Sequence, residues 1–361
     1  MNTPAGSLKN LALSWSEFAL LSQARKNHVL GAICYGATAP VNPTERLPDT
    51  PWIRVVMPVL GDMHATTPSG QADTLPAAVD SICDVWVSAT PLEEGRYADI
   101  HYRHDGNILF GVITLAEGEA PPEAATSPLQ HCTERAYRQL FELLDTLGYP
   151  HVYRLWNYMA DINGHSHGLE RYRQFNLGRQ DAFKACRRDV AGNVPAACAL
   201  GAAEGLLTIA FLAGKTLSKS IENPRQVSAY DYPESYGPRS PVFSRASLAQ
   251  IGANEVLLIS GTASIVGHDT VHPGDVLEQT RETLRNIEAV VQAANLQANK
   301  PDFSLSDLCC RVYLRHRADL ATVQAIMQAR LGAGCNAVFL LADVCRQDLL
   351  VEIEASAWLP A

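Results

Sequence analysis

Two glutamates two positions apart, Glu352 and Glu354, lie in the run Leu349-Leu350-Val351-Glu352-Ile353-Glu354. Strand alternation there puts Leu349, Val351 and Ile353 on one face and both carboxylates on the other. In water they are ordinary surface charges. On a covered face a carboxylate loses hydration and its pKa rises, which makes it the acidic group of a site. A second grouping is cationic. Arg225, Arg239 and Arg245 fall within 215–246, a stretch rich in Pro, Ser, Tyr and Arg, and Arg311 lies on a strand-like run further on. Local clustering of that kind can hold an anion even in a chain whose formal net charge is −9. The same net charge argues against binding a phosphate backbone, because no strongly basic face is available to displace counterions.

Other chemical signals are weak. His165-Ser166-His167 follows Gly164 in a polar loop with no third ligand nearby, and reads as surface rather than metal site. The chain has no Walker A pattern, no GxGxxG after a strand and no GxSxG. No metal and no organic cofactor is therefore expected. Nine cysteines, odd in number and without metal-type spacing, read as reduced, buried side chains of a cytoplasmic protein. Met1 to Asn10 is polar and lacks the apolar core of a signal peptide. Val194 to Gly214 approaches the length of a membrane span, but Pro195, Gly201, Glu204 and Gly205 divide it into two short strands, so no membrane partner is expected.

The elements that must position these groups are arranged in two similar sets. At 361 residues about two domains are expected. In the second half, Glu255 to Ser260 reads as a strand and Asp275 to Asn295 as an amphipathic helix. Leu308 to Arg315 is strand-like, Asp319 to Leu331 helical, and Ala337 to Ala342 and Leu349 to Ala355 are two more strands. The first half repeats this order with Leu109 to Leu115, the helix Thr133 to Gly148 (Thr as N-cap), His151 to Tyr158, the helix Phe175 to Arg187, Ala196 to Leu200, and Leu206 to Leu212. Runs at Val29 to Tyr35, Trp52 to Leu60, Val85 to Ala89 and Tyr97 to Tyr102 are expected to enlarge the first copy. Aligning the last strands sets Leu207, Ile209 and Phe211 opposite Leu350, Glu352 and Glu354. The acidic face of the second copy thus corresponds to an apolar, covered face in the first. The long segment between the copies reads as a functional loop, its aromatic content arguing against disorder.

SGTASIVG (Ser260 to Gly267), the helix containing QTRETLRNIEAVV, the strand CCRVYLR and the terminal CRQDLLVEIEASAW (Cys345 to Trp358) together resemble the RidA/YjgF family. NPRQVSAYDYPESYGPRSPVFSRA (Asn223 to Ala246), RLWNYMADIN (Arg154 to Asn163) and FNLGRQDAF (Phe175 to Phe183) are not typical of that family. They resemble the chorismatase family, in which two RidA-like units are fused, and the resemblance spans about residues 25 to 361. It implies an α/β (α+β) fold of two tandem units, each a mixed sheet with helices on one face. The units are 1–214 and 247–361, with 215–246 as a substrate-binding loop.

The resemblance further implies cleavage of chorismate to a hydroxybenzoate and pyruvate. Glu352 matches the family's catalytic glutamate, and would protonate the terminal methylene carbon of the enol ether. Gly261 and Cys345 match the positions that separate aromatising from hydrolysing relatives, which implies 3-hydroxybenzoate as product. Some relatives serving aryl-polyene pigment pathways also release 4-hydroxybenzoate. Substrate carboxylates call for planar guanidinium forks. Arg239, with Tyr230 as hydroxyl partner, is the first choice, followed by Arg225, Arg311 and Arg245. Two other readings stay open. One is a RidA-type enamine/imine deaminase, weakened because Cys335 to Val338 lacks the arginine such enzymes carry. The other is a non-catalytic metabolite-binding module. A monomer or a small homo-oligomer would accommodate any of the three.

Overall fold

The structure, a computed structural model, describes residues 8–37, 50–63, 81–118, 126–300, 302–332 and 334–360. Two seven-stranded mixed sheets dominate it. The first runs, edge to edge, Asp343–Val344, Ala196–Ala202, His151–Ala160, Leu207–Gly214, Ile108–Leu115, Ile100–His104, Glu93–Tyr97. The second runs Val59–Met63, Asn336–Leu341, Cys309–Leu314, Val351–Pro360, Asn254–Ala263, Ala246–Ile251, Lys219–Ile221. Apart from the terminal strand of each at the 343–344 and 59–63 edges, the two sheets have the same order of equivalent strands. Each pairs its second and third strands in parallel and the others antiparallel. The duplication expected from sequence is therefore present at the level of topology. The exceptions stitch the halves together: Asp343–Val344 of the second copy joins the first sheet, and Val59–Met63 joins the second.

Each sheet carries its own helices on one face. Pro128–Leu147 and Arg171–Ala185 bury Leu140, Phe141, Phe175 and Phe183 against Ile209 and Phe211 of the first sheet. Val276–Asn295 and Leu320–Leu331 bury Ile287, Val290 and Met327 against Val351 and Ile353 of the second. Removing apolar side chains of this size from water stabilises each layer by about 1.5–3 kcal/mol per residue. The first helix starts at Ser127, whose hydroxyl accepts from the Gln130 N–H, and not at Thr133, which is buried mid-helix and donates back to Leu129 O.

The opposite faces meet in a central core formed by Trp86, Phe110, Trp156, Leu212, Leu258 and Val338, among others. This arrangement corrects the strand alignment. Ile209 and Phe211 point toward the helices, so Thr208 and Ala210 share the inward face that Glu352 and Glu354 occupy in the second copy. A one-residue slip exchanges the two faces of a strand. Glu352 is covered nonetheless, by the first sheet. The strands at Val29–Gly36, Trp52–Val56 and Ser81–Ser88, with Leu8–Ser14, form a separate four-stranded sheet that closes the central core. Cys34 and Cys83 are direct partners across two of its strands, with Cα atoms 4.0 Å apart, and are joined as a disulfide. This departs from the expectation of nine reduced thiols. The cause is a strand pairing that cysteine spacing does not reveal.

Candidate active site

Glu352 stands on the strand Val351–Pro360, between Tyr313 on one neighbouring strand and Ala263 on the other. Beside it the strand Asn254–Ala263 shifts register between Ile259 and Thr262. Such an irregularity bends a strand and re-aims its side chains. Here it sets Gly261 directly against Glu352: a Cβ on that glycine would overlap Oε1. Ser260, in the same bulge, ties the two copies together. Its hydroxyl donates to Ser244 O at 2.6 Å and accepts from the Ala197 N–H at 2.9 Å. Strand Ala196–Ala202 of the first sheet is thereby drawn over the glutamate, which is 3% exposed.

Burial raises the Glu352 pKa to about 8, and the neighbouring Glu354 adds to the rise. Arg154 and a thiol hydrogen bond from Cys345, Sγ to Oε2 3.9 Å, oppose it. Burial also pushes the Cys345 thiol up to about 12, so Cys345 is a neutral donor and not a thiolate. Glu352 therefore holds a proton near neutral pH, the condition for a general acid.

The carboxyl faces a cavity of about 420 Å³ whose lining includes Gly261, Cys345, Arg245, Arg346, Tyr232 and Tyr236. Its size falls in the range of small-molecule sites, about 300–1,000 Å³. A smaller recess of about 30 Å³ shares Glu352, Gly261 and Cys345 and adds Arg179 and Cys198. Three guanidinium groups thus approach one acid. Arg346 lies over the rings of Tyr236 and Tyr232, 4.1 and 5.3 Å from their centroids, and donates through Nη1 to His268 O, while Nη2 has no partner. Arg245 donates to Val227 O and to the Tyr232 hydroxyl and leaves Nε unpaired. Arg179, 1% exposed, bonds Asn176 and also leaves Nε unpaired. Among the described residues none of the three forms a direct ion pair with a carboxylate, and only Arg245 has one, Glu222, near enough for their charges to interact. A desolvated cation without a counter-ion is costly, and a bound anion removes that cost.

Of the residues singled out from sequence, Glu352, Gly261, Cys345 and Arg245 line this cavity. The others do not. Arg239 pairs with Asp181, and Arg225 pairs with Glu282 and bonds Asn286. Arg311 is buried in an ion pair with Asp84 between the second sheet and the four-stranded sheet. Tyr230 packs on the helix-side core of the first copy. The three arginines are thus already paired elsewhere. Arg346, Arg179, Tyr232 and Tyr236 escaped notice. Arg346 lies between two strands, in a polar stretch whose residue types do not say which way it faces, and the two tyrosines differ from Tyr230 only in which way the loop turns them. Arg179 follows Phe175 and Asn176 by one helical turn, a spacing that places it on the buried face with them. His165 lies on a two-residue hairpin with Leu169–Glu170, and among the described residues no group of three His, Cys, Asp or Glu is placed to hold a metal.

Two family models match the chain: "Chorismatase FkbO/Hyg5-like, N-terminal" over residues 84–213, and "Endoribonuclease L-PSP" over 242–359. A 3-hydroxybenzoate synthase of Streptomyces hygroscopicus is 38% identical over 296 residues, covering 80% of this chain and 84% of that one. A chorismatase of Streptomyces rapamycinicus is 39% identical over 282 residues, 76% of this chain and 82% of the relative. A crystal structure of a chorismatase superposes with a TM-score of 0.81 at 32% identity, covering 99% of this chain and all of that one.

Proposed function

The chain belongs to the chorismatase family, and from that premise we propose that it converts chorismate to 3-hydroxybenzoate and pyruvate with Glu352 as the proton donor. The observation that carries the reading is a buried, proton-holding carboxyl facing a cavity whose guanidinium groups form no direct ion pair with a carboxylate. Chorismate is a dianion, and Arg245, Arg346 and Arg179 offer more than the two cationic anchors it needs. Planar forks of this kind match carboxylates bidentately.

Glu352 delivers its proton to the terminal methylene carbon of the enolpyruvyl group, and the bond between ring C3 and the ether oxygen breaks to release pyruvate. The C4 hydroxyl oxygen closes onto C3 and returns its proton to the Glu352 carboxylate. The bridged oxide then opens at C4 with loss of the C3 hydrogen as a proton, which the opened oxygen takes up to give the phenol. The balance requires no net water. Cys345 and Gly261 shape the space around the ring, so that the C4 oxygen closes in place of an entering water.

All the groups invoked come from a single chain, so a monomer suffices for catalysis. The test is to incubate the pure protein with chorismate and no added metal, measure pyruvate, and resolve 3-hydroxybenzoate, 4-hydroxybenzoate and the diene acid by chromatography. Equimolar pyruvate and 3-hydroxybenzoate are expected, with turnover reduced roughly 10³-fold in Glu352→Gln. Absence of pyruvate would sink the reading. A substantial 4-hydroxybenzoate peak would assign the chain to the bifunctional type.

A further inference from the structure

Glu352 has a partner of its own kind. Glu354 projects from the same face of the same strand, about 7 Å further along by strand geometry, and is also buried. The two carboxyls have opposite surroundings. Glu354 receives the Tyr313 hydroxyl at 2.8 Å on Oε1 and the Arg154 guanidinium on Oε2. Arg154 and Tyr313 are themselves buried, on strands His151–Ala160 and Cys309–Leu314, which belong to different sheets. Glu352 receives only the weak thiol donor Cys345.

We propose that Arg154 and Tyr313 make Glu354 the ionised member of a carboxylate pair, and that its fixed charge keeps Glu352 protonated for catalysis. Two carboxylates this close in a dry site resist ionising together, and the member with the better donors carries the charge. Glu354 is thus a positioning residue that acts through Glu352 and stays away from the reacting atoms. This assignment rests on Glu352 being the acid.

The other groups around Glu352 supply no competing negative charge. Burial pushes the thiols of Cys198 and Cys345 upward, and likewise the Tyr172 phenol, so all three stay neutral. Glu170 at the cavity mouth is paired with Arg173 at 3.1 Å. Arg154 is the cation that opposes the effect, and it is itself held by Glu354. Arg179 and Arg346, beside the same cavities, would be occupied by a dianionic substrate. The charge that favours protonated Glu352 therefore comes from Glu354. An uncharged glutamine at 354 would also leave Arg154 without its counter-ion, with Glu352 as the nearest alternative.

The test has two arms. The first compares the pH profile of kcat/KM in wild type, Glu354→Gln and Glu354→Asp. The limb on which activity is lost as Glu352 ionises should move to lower pH by about one unit or more in Glu354→Gln, and return toward wild type in Glu354→Asp. A general loss of rate at unchanged limb position would show a structural role only and overturn the proposal. The second arm needs no substitution at 354. Infrared spectra of wild type and Glu352→Gln at about pH 6.5 should differ by one buried protonated-carboxyl band, lost in the variant, while the band of Glu222, which burial pushes up to about 7, is common to both. Failure to lose any protonated-carboxyl band in Glu352→Gln would place the proton on Glu354 and refute the proposal even if Glu354→Gln failed to fold. If Glu352→Gln loses the band but keeps its turnover, the Glu352 mechanism fails while the charge assignment stands.

Discussion

Gly261 and Glu352 are in such close contact that the glycine hydrogen atoms are all the space between them allows. A Cβ at 261 would overlap Oε1 of Glu352, lie 2.7 Å from its Cδ and fall 3.2 Å from the Cys198 Cβ. The glycine is needed for room, since its backbone is not among those with positive φ. Gly261→Ala should therefore fold, at an overpacking cost of about 1–3 kcal/mol, but displace the acid. Turnover of chorismate should fall by roughly 10²-fold, the scale for a misplaced catalytic group. The remaining product should shift toward the diene acid. A wild-type rate in Gly261→Ala would show that the carboxyl does not act from this position.

Cys345 presses on the same carboxyl from the other side. Its Sγ lies 3.9 Å from Oε2, and the side chain lines both the main cavity and the recess. Cys345→Ala removes that volume and opens room for a water beside the ring. The hydrated diene acid should rise at the expense of 3-hydroxybenzoate, measured by chromatography of the products. An unchanged ratio would remove Cys345 as the selector. Because burial holds the thiol near 12, alkylation by iodoacetamide at about pH 8 should be slow, as befits a group with almost no thiolate.

Strand alternation in Val351-Glu352-Ile353-Glu354 was enough to separate a carboxylate face from an apolar one, and the repeated element order was enough to recover the shared topology of the two sheets. Both are local signals. Quantities set by long-range pairing were not legible. The alignment of Ile209 with Glu352 was one residue out, because nothing within a single strand fixes its register against a distant copy. The four-stranded sheet and the Cys34–Cys83 contact depend on strands about 50 residues apart in sequence. For the arginines, residue type was informative but partner was not. Arg239 and Arg346 look alike in a sequence, and only folding shows that Asp181 waits for one and a cavity for the other.

Glu352 also makes a pH-dependent contribution to stability. Its folded pKa of about 8 lies above the ordinary carboxyl value. A group raised in this way contributes stability that is complete below its unfolded pKa, about 4.3, and lost as pH rises through 8. Glu352→Gln is neutral at every pH and escapes the loss. The two proteins should melt at similar temperatures near pH 4 and diverge above it, with the variant the more stable by of the order of a few kcal/mol at pH 9. Glu222, which burial pushes up to about 7, is common to both and cancels in the comparison. Equal melting temperatures across this range, read by calorimetry, would mean that Glu352 is not desolvated.

The arginines separate by whether a partner already holds them. Arg346 is braced by two tyrosine rings and the His268 carbonyl, lines a cavity that contains Glu352, and keeps a buried Nη2 without a partner. Arg239 spends its charge on Asp181 in a pair that is partly exposed on both sides. Losing an anchor to a buried substrate carboxylate costs about 2–5 kcal/mol, whereas exposed pairs are worth about 0–1 kcal/mol. Arg346→Ala should therefore raise KM for chorismate by at least about 30-fold, while Arg239→Ala changes it by less than about threefold. Arg346→Lys should recover only part of the loss, because an ammonium group cannot reproduce the planar fork or its stacking on Tyr236. Steady-state kinetics on the three variants decides the matter, and a larger defect in Arg239→Ala than in Arg346→Ala would place the substrate carboxylate on the other side of the loop.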